Sequence, residues 1–278
     1  MKHQLEDEVS AHYHKAGLLD AITDGLKQSG ADPHAPSLEE LAPVDEFHTA
    51  GRAATLMALD MVPELSGMHV LDAGCGIGGT ARHLAKERGC RVTGIDLTAS
   101  FVDVARVLSE RTGLARWCDF HTGSVLDMPF ETGSFDGAVS FHVAMNIEDR
   151  NRFYSELARV VKVGAPLCVF DVMKGPQDGL SYPVPWAETG TSSFLKTPQE
   201  TSQLLENNGF EVVGQQSLRD FAMSFFREAF ANAAQRDGPA PLGLHLLTGA
   251  NTADKFKNYV AGLEGDQIAP TILVATRV

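Results

Sequence analysis

From residue 68 onward the chain alternates between two spacings of its apolar side chains. Short apolar runs occur at 68–73 (MHVLDA), 91–97 (RVTGIDL), 118–123 (CDFHTG), 134–142 (SFDGAVSFH) and 165–173 (APLCVFDVM). Between them lie stretches whose apolar residues recur every three or four positions. At 80–89 Ala81, Leu84 and Ala85 share a face and Gly89 is the stop. At 100–113 Ser100 is the expected cap and Gly113 the stop. A third such stretch covers 149–161. The first spacing predicts buried strands and the second amphipathic helices. Strands alternating with helices of about 10–15 residues predict βαβ units, and so an α/β, doubly wound parallel sheet covered on both faces.

Two regions depart from this rhythm. Residues 1–66 precede the first strand and carry helical patterns at roughly 5–29 and 49–62, broken by GADPHAPS. After Met173 comes KGPQDGLSYPVPWAETGTSSFLKT, too long for an ordinary connection. A helix follows at 198–209, where Pro198 suits the first turn. A further strand is expected at 210–218, helices near 219–235 and 252–263, and a final strand at 269–278. The expected organisation is an N-terminal helical cap over 1–66 and a core over 67–278. Cap insertions at about 174–196 and 219–266 lie over the ligand end of that core.

The chemistry concentrates in VLDAGCGIGGTARHLA, residues 70–85. Gly74-x-Gly76-x-x-Gly79, between a strand and a helix, is the setting of a nucleotide-type ligand. Glycines let the backbone approach the ligand, and a helix N-terminus favours an anionic group. Asp96 ends the second strand, where a carboxylate accepts both ribose hydroxyls. NAD and a phosphate-free nucleoside fit these features equally. Asp72 separates them. An ionised carboxylate just before the turn repels a diphosphate but suits the ammonium of S-adenosylmethionine, whose carboxylate the helix terminus serves.

The bulk composition narrows the partners. Lys and Arg number 23 against 36 Asp and Glu, a net charge of −13. Such a surface is repelled by phosphate backbones and anionic membranes, so neither is an expected partner. The densest charge cluster, LEDE at 5–8, reads as a solvated helix start. The four cysteines form no C-x-x-C pair, which speaks against a zinc knuckle or redox dithiol and for a reducing cytoplasm. His12 and His14 are spaced as a pair of ligands, but two ligands do not make a metal site, and no metal is expected. The N-terminal residues lack the apolar segment of a secretory signal, and no apolar run reaches the roughly 18 residues of a membrane span.

VLDAGCGIGG, VTGIDL, GSVLDMPFETGSFDGAVS and ELARVVKVGAPL, four motifs in order across about 68–173, resemble the class I S-adenosylmethionine-dependent methyltransferases. More narrowly, they are similar to the branch with quinone-biosynthesis C-methyltransferases and sarcosine/dimethylglycine and phosphoethanolamine N-methyltransferases. LAPVDEFHTAGRAAT at 41–55 resembles the lead-in segment of the sarcosine/dimethylglycine-like members. The resemblance implies a Rossmann-like sheet of seven strands, mostly parallel with the last antiparallel. It implies S-adenosyl-L-methionine as cofactor and S-adenosyl-L-homocysteine as product. Asp72, Ala73, Gly74, Cys75, Gly76 and Gly79 then surround the methionine part, Asp96 holds the ribose and Leu97 lies beside the adenine. Ser124 and Val125 take the adenine-edge position, where many members carry Asp; here the contact shifts toward the Val125 backbone. Ser140 to His142 end the fourth strand facing the sulfonium. The usual PGG turn reads Val163-Gly164-Ala165.

Methyl transfer from a sulfonium needs alignment and dryness more than a base, and alignment alone supplies roughly 7–11 kcal/mol. His142 is the first candidate for orienting the acceptor or taking a proton; the alternative is a packing role. Tyr13, in an amphipathic N-terminal helix, matches the tyrosine that the branch often places over the cofactor. Asp45 and His48 either reach the acceptor or cap a loop. Asp171 is either a base or a turn cap. Tyr182, Trp186 and Phe194 either cage a cation or pin their loop to the core, and pinning is the expectation. Phe221, Phe225 and Phe226 are expected to pack onto the core or to form an apolar substrate wall. The expected activity is methylation of a small molecule, first an amine of the glycine-betaine type and next a C- or O-acceptor such as a quinone precursor or secondary metabolite. A homodimer is one possible assembly. An NAD-dependent oxidoreductase and a nucleoside-binding protein without transfer activity are the readings from other classes.

Overall fold

The computed structural model describes every residue except Met1, Pro63, Glu64, Arg236, Asp237 and Pro239. Seven strands form one sheet: β1 (His69–Ala73), β2 (Arg91–Asp96), β3 (Cys118–Thr122), β4 (Gly137–Phe141), β5 (Pro166–Lys174), β6 (Phe210–Ser217) and β7 (Ile268–Arg277). Their order is β3-β2-β1-β4-β5-β7-β6. Neighbours are parallel except that β7 runs antiparallel to both β5 and β6. The chain is thus the Rossmann-like, mostly parallel sheet with an antiparallel last strand that the sequence leads one to expect. From β1 it steps outward to β3, then returns to β4 on the other side of β1. At such a reversal a crevice opens beyond the carboxyl ends of the strands.

Helices cover both faces. In chain order they are α1 (Lys2–Tyr13), α2 (Leu18–Gln28), α3 (Leu38–Asp45), α4 (Gly51–Asp60), α5 (Gly79–Arg88), α6 (Ala99–Arg111), α7 (Arg150–Val160), α8 (Pro198–Asn207), α9 (Arg219–Ala233), α10 (His245–Thr248) and α11 (Thr252–Glu264). Adjacent β1 residues point to opposite faces. Val70 packs in one core with Ala58 of α4 and Leu84 of α5. Leu71 packs in the other with Leu157 of α7 and Leu205 of α8. A third cluster joins Ile22, Leu41, Phe101 and Leu108 from α2, α3 and α6. A fourth joins Trp186 of the segment after β5 to Phe226 of α9 and Tyr259 of α11. No helix among the described residues is long and apolar enough to cross a membrane.

Three local expectations change. The helical pattern over 5–29 is two helices, because Gly17 adopts a left-handed conformation (φ +72°) between them. The lead-in holds an additional helix, α3, started by a reciprocal cap. The Ser37 hydroxyl accepts from the Glu40 N–H at 3.2 Å, and the Ser37 N–H donates to the Glu40 carboxylate at 2.7 Å. Helix α6 is entered from Thr98, whose N–H donates to Asp96 Oδ1 at 2.8 Å. Ser100, the expected cap, lies inside the first turn with its Oγ unpartnered among the described residues, because α6 begins at Ala99, directly after Thr98.

Candidate cofactor and acceptor site

At the end of β1 the N–H groups of Gly74 and Cys75 both donate to the Ile95 carbonyl, at 2.8 and 3.0 Å. Gly74 has φ +84°, and a Cβ there would lie 2.2 Å from Val143 Cγ2, so only glycine lets the turn pass under the loop that follows β4. Asp72 is buried beneath this turn, its Oδ2 without a partner among the described residues. Burial and the charge of Asp96 push its carboxyl up to about 7. Asp96 ends β2. Its Oδ2 accepts from the Gly76 N–H at 2.9 Å and its Oδ1 from Thr98, so each oxygen keeps a lone pair for a further donor.

Above these groups lies a cavity of about 490 Å³, within the usual range for small-molecule sites. Asp72, Gly74, Cys75, Gly76, Asp96, Leu97, Ser124, Val125 and His142 line it, together with Tyr13 and His48. Ala73, Gly79 and Ser140 stand behind the wall. The Ala73 methyl faces the Leu71–Ile95 core. A Cβ on Gly79 would lie 2.3 Å from the Asp45 carbonyl oxygen, so this glycine serves the contact of α5 with α3. Ser140 is fully buried within β4. Helix α1 lines one end of the cavity through Leu5, Glu6 and Val9; Glu6 accepts from the Ser124 hydroxyl, tying the helix to the expected adenine edge. At the end of α1 the Tyr13 hydroxyl donates to Asn146 Oδ1 at 2.9 Å, and its ring packs edge-on against Phe47. Burial raises that phenol well above its ordinary value, so it serves as a donor and not as a base.

His142 caps β4 in a left-handed conformation (φ +56°), and both ring nitrogens are occupied. Nδ1 lies 3.1 Å from the Phe170 carbonyl, which can only accept, so the proton sits on Nδ1. Nε2 accepts from the Thr49 N–H at 3.1 Å and lies 2.8 Å from Thr49 Oγ1. Burial, and next to it the nearby His48, hold the imidazole well below its ordinary value, hence neutral. Both ring nitrogens are thus spent on protein partners, as in the packing alternative, and none is left free to take a proton from an acceptor or to hold one. His48 is likewise enclosed, with Nε2 3.0 Å from the Glu46 carboxylate and 2.9 Å from the Thr55 hydroxyl. Asp171 Oδ1 accepts from the Val143 and Ala144 N–H groups at 2.8 and 3.2 Å, the turn-capping alternative.

The far end of the cavity is apolar and aromatic: Met145, Val172, Trp186, Phe226, Phe256 and Tyr259. Trp186 is pinned as expected, its indole N–H donating to Ser193 Oγ at 2.9 Å, yet the ring also forms part of the wall. Phe226 points inward, whereas Phe225, expected on the core, is 38% exposed because it occupies the next position on α9 and so faces away. Thr49, Asn146 and Tyr259 are wall residues that sequence reasoning did not single out. Asn146 follows the fourth strand as His142 does, and that shared position is the one signal that pointed to it.

A cationic, phosphate-free nucleoside fits this geometry. The unpartnered Asp72 oxygen suits an ammonium, Asp96 suits a ribose diol, and at Gly76, where an added Cβ would meet nothing within 4 Å, the backbone is open to a close approach. A diphosphate at the same place would meet the Asp72 and Asp96 carboxylates. Comparison with known proteins agrees. Residues 71–169 match the family model described as a methyltransferase domain. The chain is 36% identical over 107 residues to ajmaline N-methyltransferase of Rauvolfia serpentina, covering 38% of this chain but only 37% of that relative. It is 26% identical over 240 residues to an O-methyltransferase of Pyrenophora dematioidea, covering 85% of each. Among solved structures, geranyl diphosphate C-methyltransferase of Streptomyces coelicolor A3(2) superposes with a TM-score of 0.66 at 19% identity, over 81% of this chain and 79% of that one.

Proposed function

We propose that this protein transfers a methyl group from S-adenosylmethionine to a largely apolar small molecule that is neutral or positively charged. The cofactor is S-adenosylmethionine; when bound it supplies a methyl group on a cationic sulfur that leaves as a neutral thioether. Asp72 binds the ammonium, Asp96 the ribose, and α1 with the segment after β5 keeps water from the transfer path. The observation that carries the acceptor assignment is the make-up of the wall. Its far end is aromatic, and apart from Asp45, whose carboxylate is paired with buried Arg82, the Asp, Glu, Lys or Arg wall residues among those described are Glu6, Asp72, Asp96, Glu148 and Asp149, none of them basic. An acceptor of the glycine-betaine type brings a carboxylate into that field and has no apolar body for the aromatic end. A ring-bearing amine, phenol or quinol matches both. The relatives named ajmaline N-methyltransferase and O-methyltransferase support N- or O-methylation of a small molecule. A methyl-turnover screen should show transfer to aromatic amines, phenols or quinols and little to sarcosine or dimethylglycine; the reverse order of preference would overturn the acceptor class.

The Asp72 carboxyl also sets a pH dependence. In the free protein it titrates at about 7, and an ammonium against Oδ2 favours the ionised form. Binding therefore expels a proton below that pH. Affinity for S-adenosylhomocysteine, which carries the same ammonium, should climb by up to about tenfold per pH unit toward 7 and then level off while the ligand's own ammonium stays protonated. Calorimetry between pH 5.5 and 7.5 in buffers of different ionisation enthalpy would show the released proton. A flat profile would remove Asp72 from the ammonium.

A further inference from the structure

We propose that the Tyr259 hydroxyl oxygen is the polar selector of the acceptor half: it accepts a hydrogen bond from an N–H or O–H of the molecule to be methylated and cannot itself donate one. The inference rests on the methyltransferase reading of the cavity. Tyr259 lies on α11, 2% exposed, with its ring on the cavity wall beside Trp186 at 6.2 Å and Phe226 at 5.1 Å between centroids. Its oxygen sits 2.5 Å from Thr49 Oγ1, which in turn sits 2.8 Å from His142 Nε2.

The direction of this chain follows from its far end. The Phe170 carbonyl can only accept, so His142 carries its proton on Nδ1. The Thr49 N–H points at Nε2, so Nε2 is bare. The Thr49 hydroxyl must then donate to Nε2, because with its proton elsewhere two lone pairs would face each other at 2.8 Å. Its proton spent, Thr49 Oγ1 accepts from Tyr259. The phenolic proton is used within the protein, and only lone pairs remain for a ligand. An O–H, or the N–H of a neutral amine, given to Tyr259 leaves a lone pair on the donating atom, the feature a methyl acceptor needs. A hydroxyl acceptor loses its donor on methylation, so the product is held less tightly than the substrate.

The test uses a matched pair of apolar probes, 2-naphthol and 2-methoxynaphthalene, titrated by calorimetry into the full chain saturated with S-adenosylhomocysteine. The wild type should bind 2-naphthol about three- to tenfold more tightly than its methyl ether, the size of one neutral hydrogen bond. Tyr259→Phe keeps the ring and its packing and should bring the ratio to near one with S-adenosylhomocysteine affinity unchanged. Thr49→Val frees the phenolic proton, lets Tyr259 donate to the ether oxygen, and should narrow the ratio from the other side. A wild-type ratio near one, or an unchanged ratio in Tyr259→Phe, overturns the inference while leaving the cofactor site intact. Failure of either probe to bind overturns it together with the apolar acceptor half. Failure of S-adenosylhomocysteine to bind overturns the methyltransferase reading itself.

Discussion

Replacing Asp96 with alanine should weaken S-adenosylhomocysteine binding by about 100-fold or more while the protein stays folded. Two ribose hydroxyls donating to one carboxylate are charge-assisted bonds worth about 1.5–3 kcal/mol each, so their joint loss reaches about 3 kcal/mol at the low end. In the free protein the same substitution orphans the Gly76 and Thr98 N–H groups, now satisfied at 2.9 and 2.8 Å. It also removes a carboxylate whose ionisation burial disfavours, as its raised pKa shows. These effects oppose each other in stability but not in binding, so the melting temperature should move far less than the dissociation constant. Asp96→Asn keeps one acceptor oxygen and turns the other into an amide donor, so it should bind more weakly than wild type and no more weakly than the alanine variant. A loss below tenfold in the alanine variant would detach Asp96 from the ribose.

The sheet and the cofactor half are legible in the chain because their determinants are local. A strand buried on both faces must be a short apolar run, and β1, β2, β5 and β7 coincide with such runs. The turn at Gly74 and the carboxylate at Asp96 lie within one βαβ unit, so their spacing survives in the sequence. Helix α3 is harder to see. It has eight residues with Pro43 inside, too few for a period to emerge, although Ser37 and Glu40 mark its start. The acceptor half is not local at all. Thr49 meets His142 across 93 residues and Tyr259 across 210. No periodicity couples positions that far apart, and only the tertiary fold, with α11 packed against α9 and β7, brings them together. The place of His142 at a strand end is legible, but its hydrogen bonds to Thr49, which decide between a role toward the acceptor and a packing role, come from a distant segment.

Arg82→Met should cost about 3–5 kcal/mol of stability at neutral pH, the range for removing one partner of a buried ion pair. Arg82 and Asp45 are both 0% exposed, and Nη2 donates to Asp45 Oδ1 at 2.6 Å. The guanidinium also reaches the Ala105 carbonyl and Ser109 Oγ, each at 3.4 Å, so one side chain joins α3, α5 and α6. Burial raises the Asp45 carboxyl and Arg82 opposes the rise; without Arg82 the carboxyl goes higher still, with Glu46 beside it adding like charge. Its pKa in the folded variant then lies far above the unfolded value, so the native state binds the extra proton and its stability falls as pH rises between the two. The deficit against wild type should therefore be greatest near pH 7 and shrink toward pH 4–5 in denaturant titrations. Adding Asp45→Asn removes the stranded charge and should recover part of the loss at pH 7 but little at pH 4. Because Asp45 and the following Phe47 and His48 line the cavity, cofactor affinity should fall with the ion pair and return only partly in the double variant. Equal deficits in the single and double variants at both pH values would mean that Arg82 acts through packing, and that the charge on Asp45 holds nothing in place.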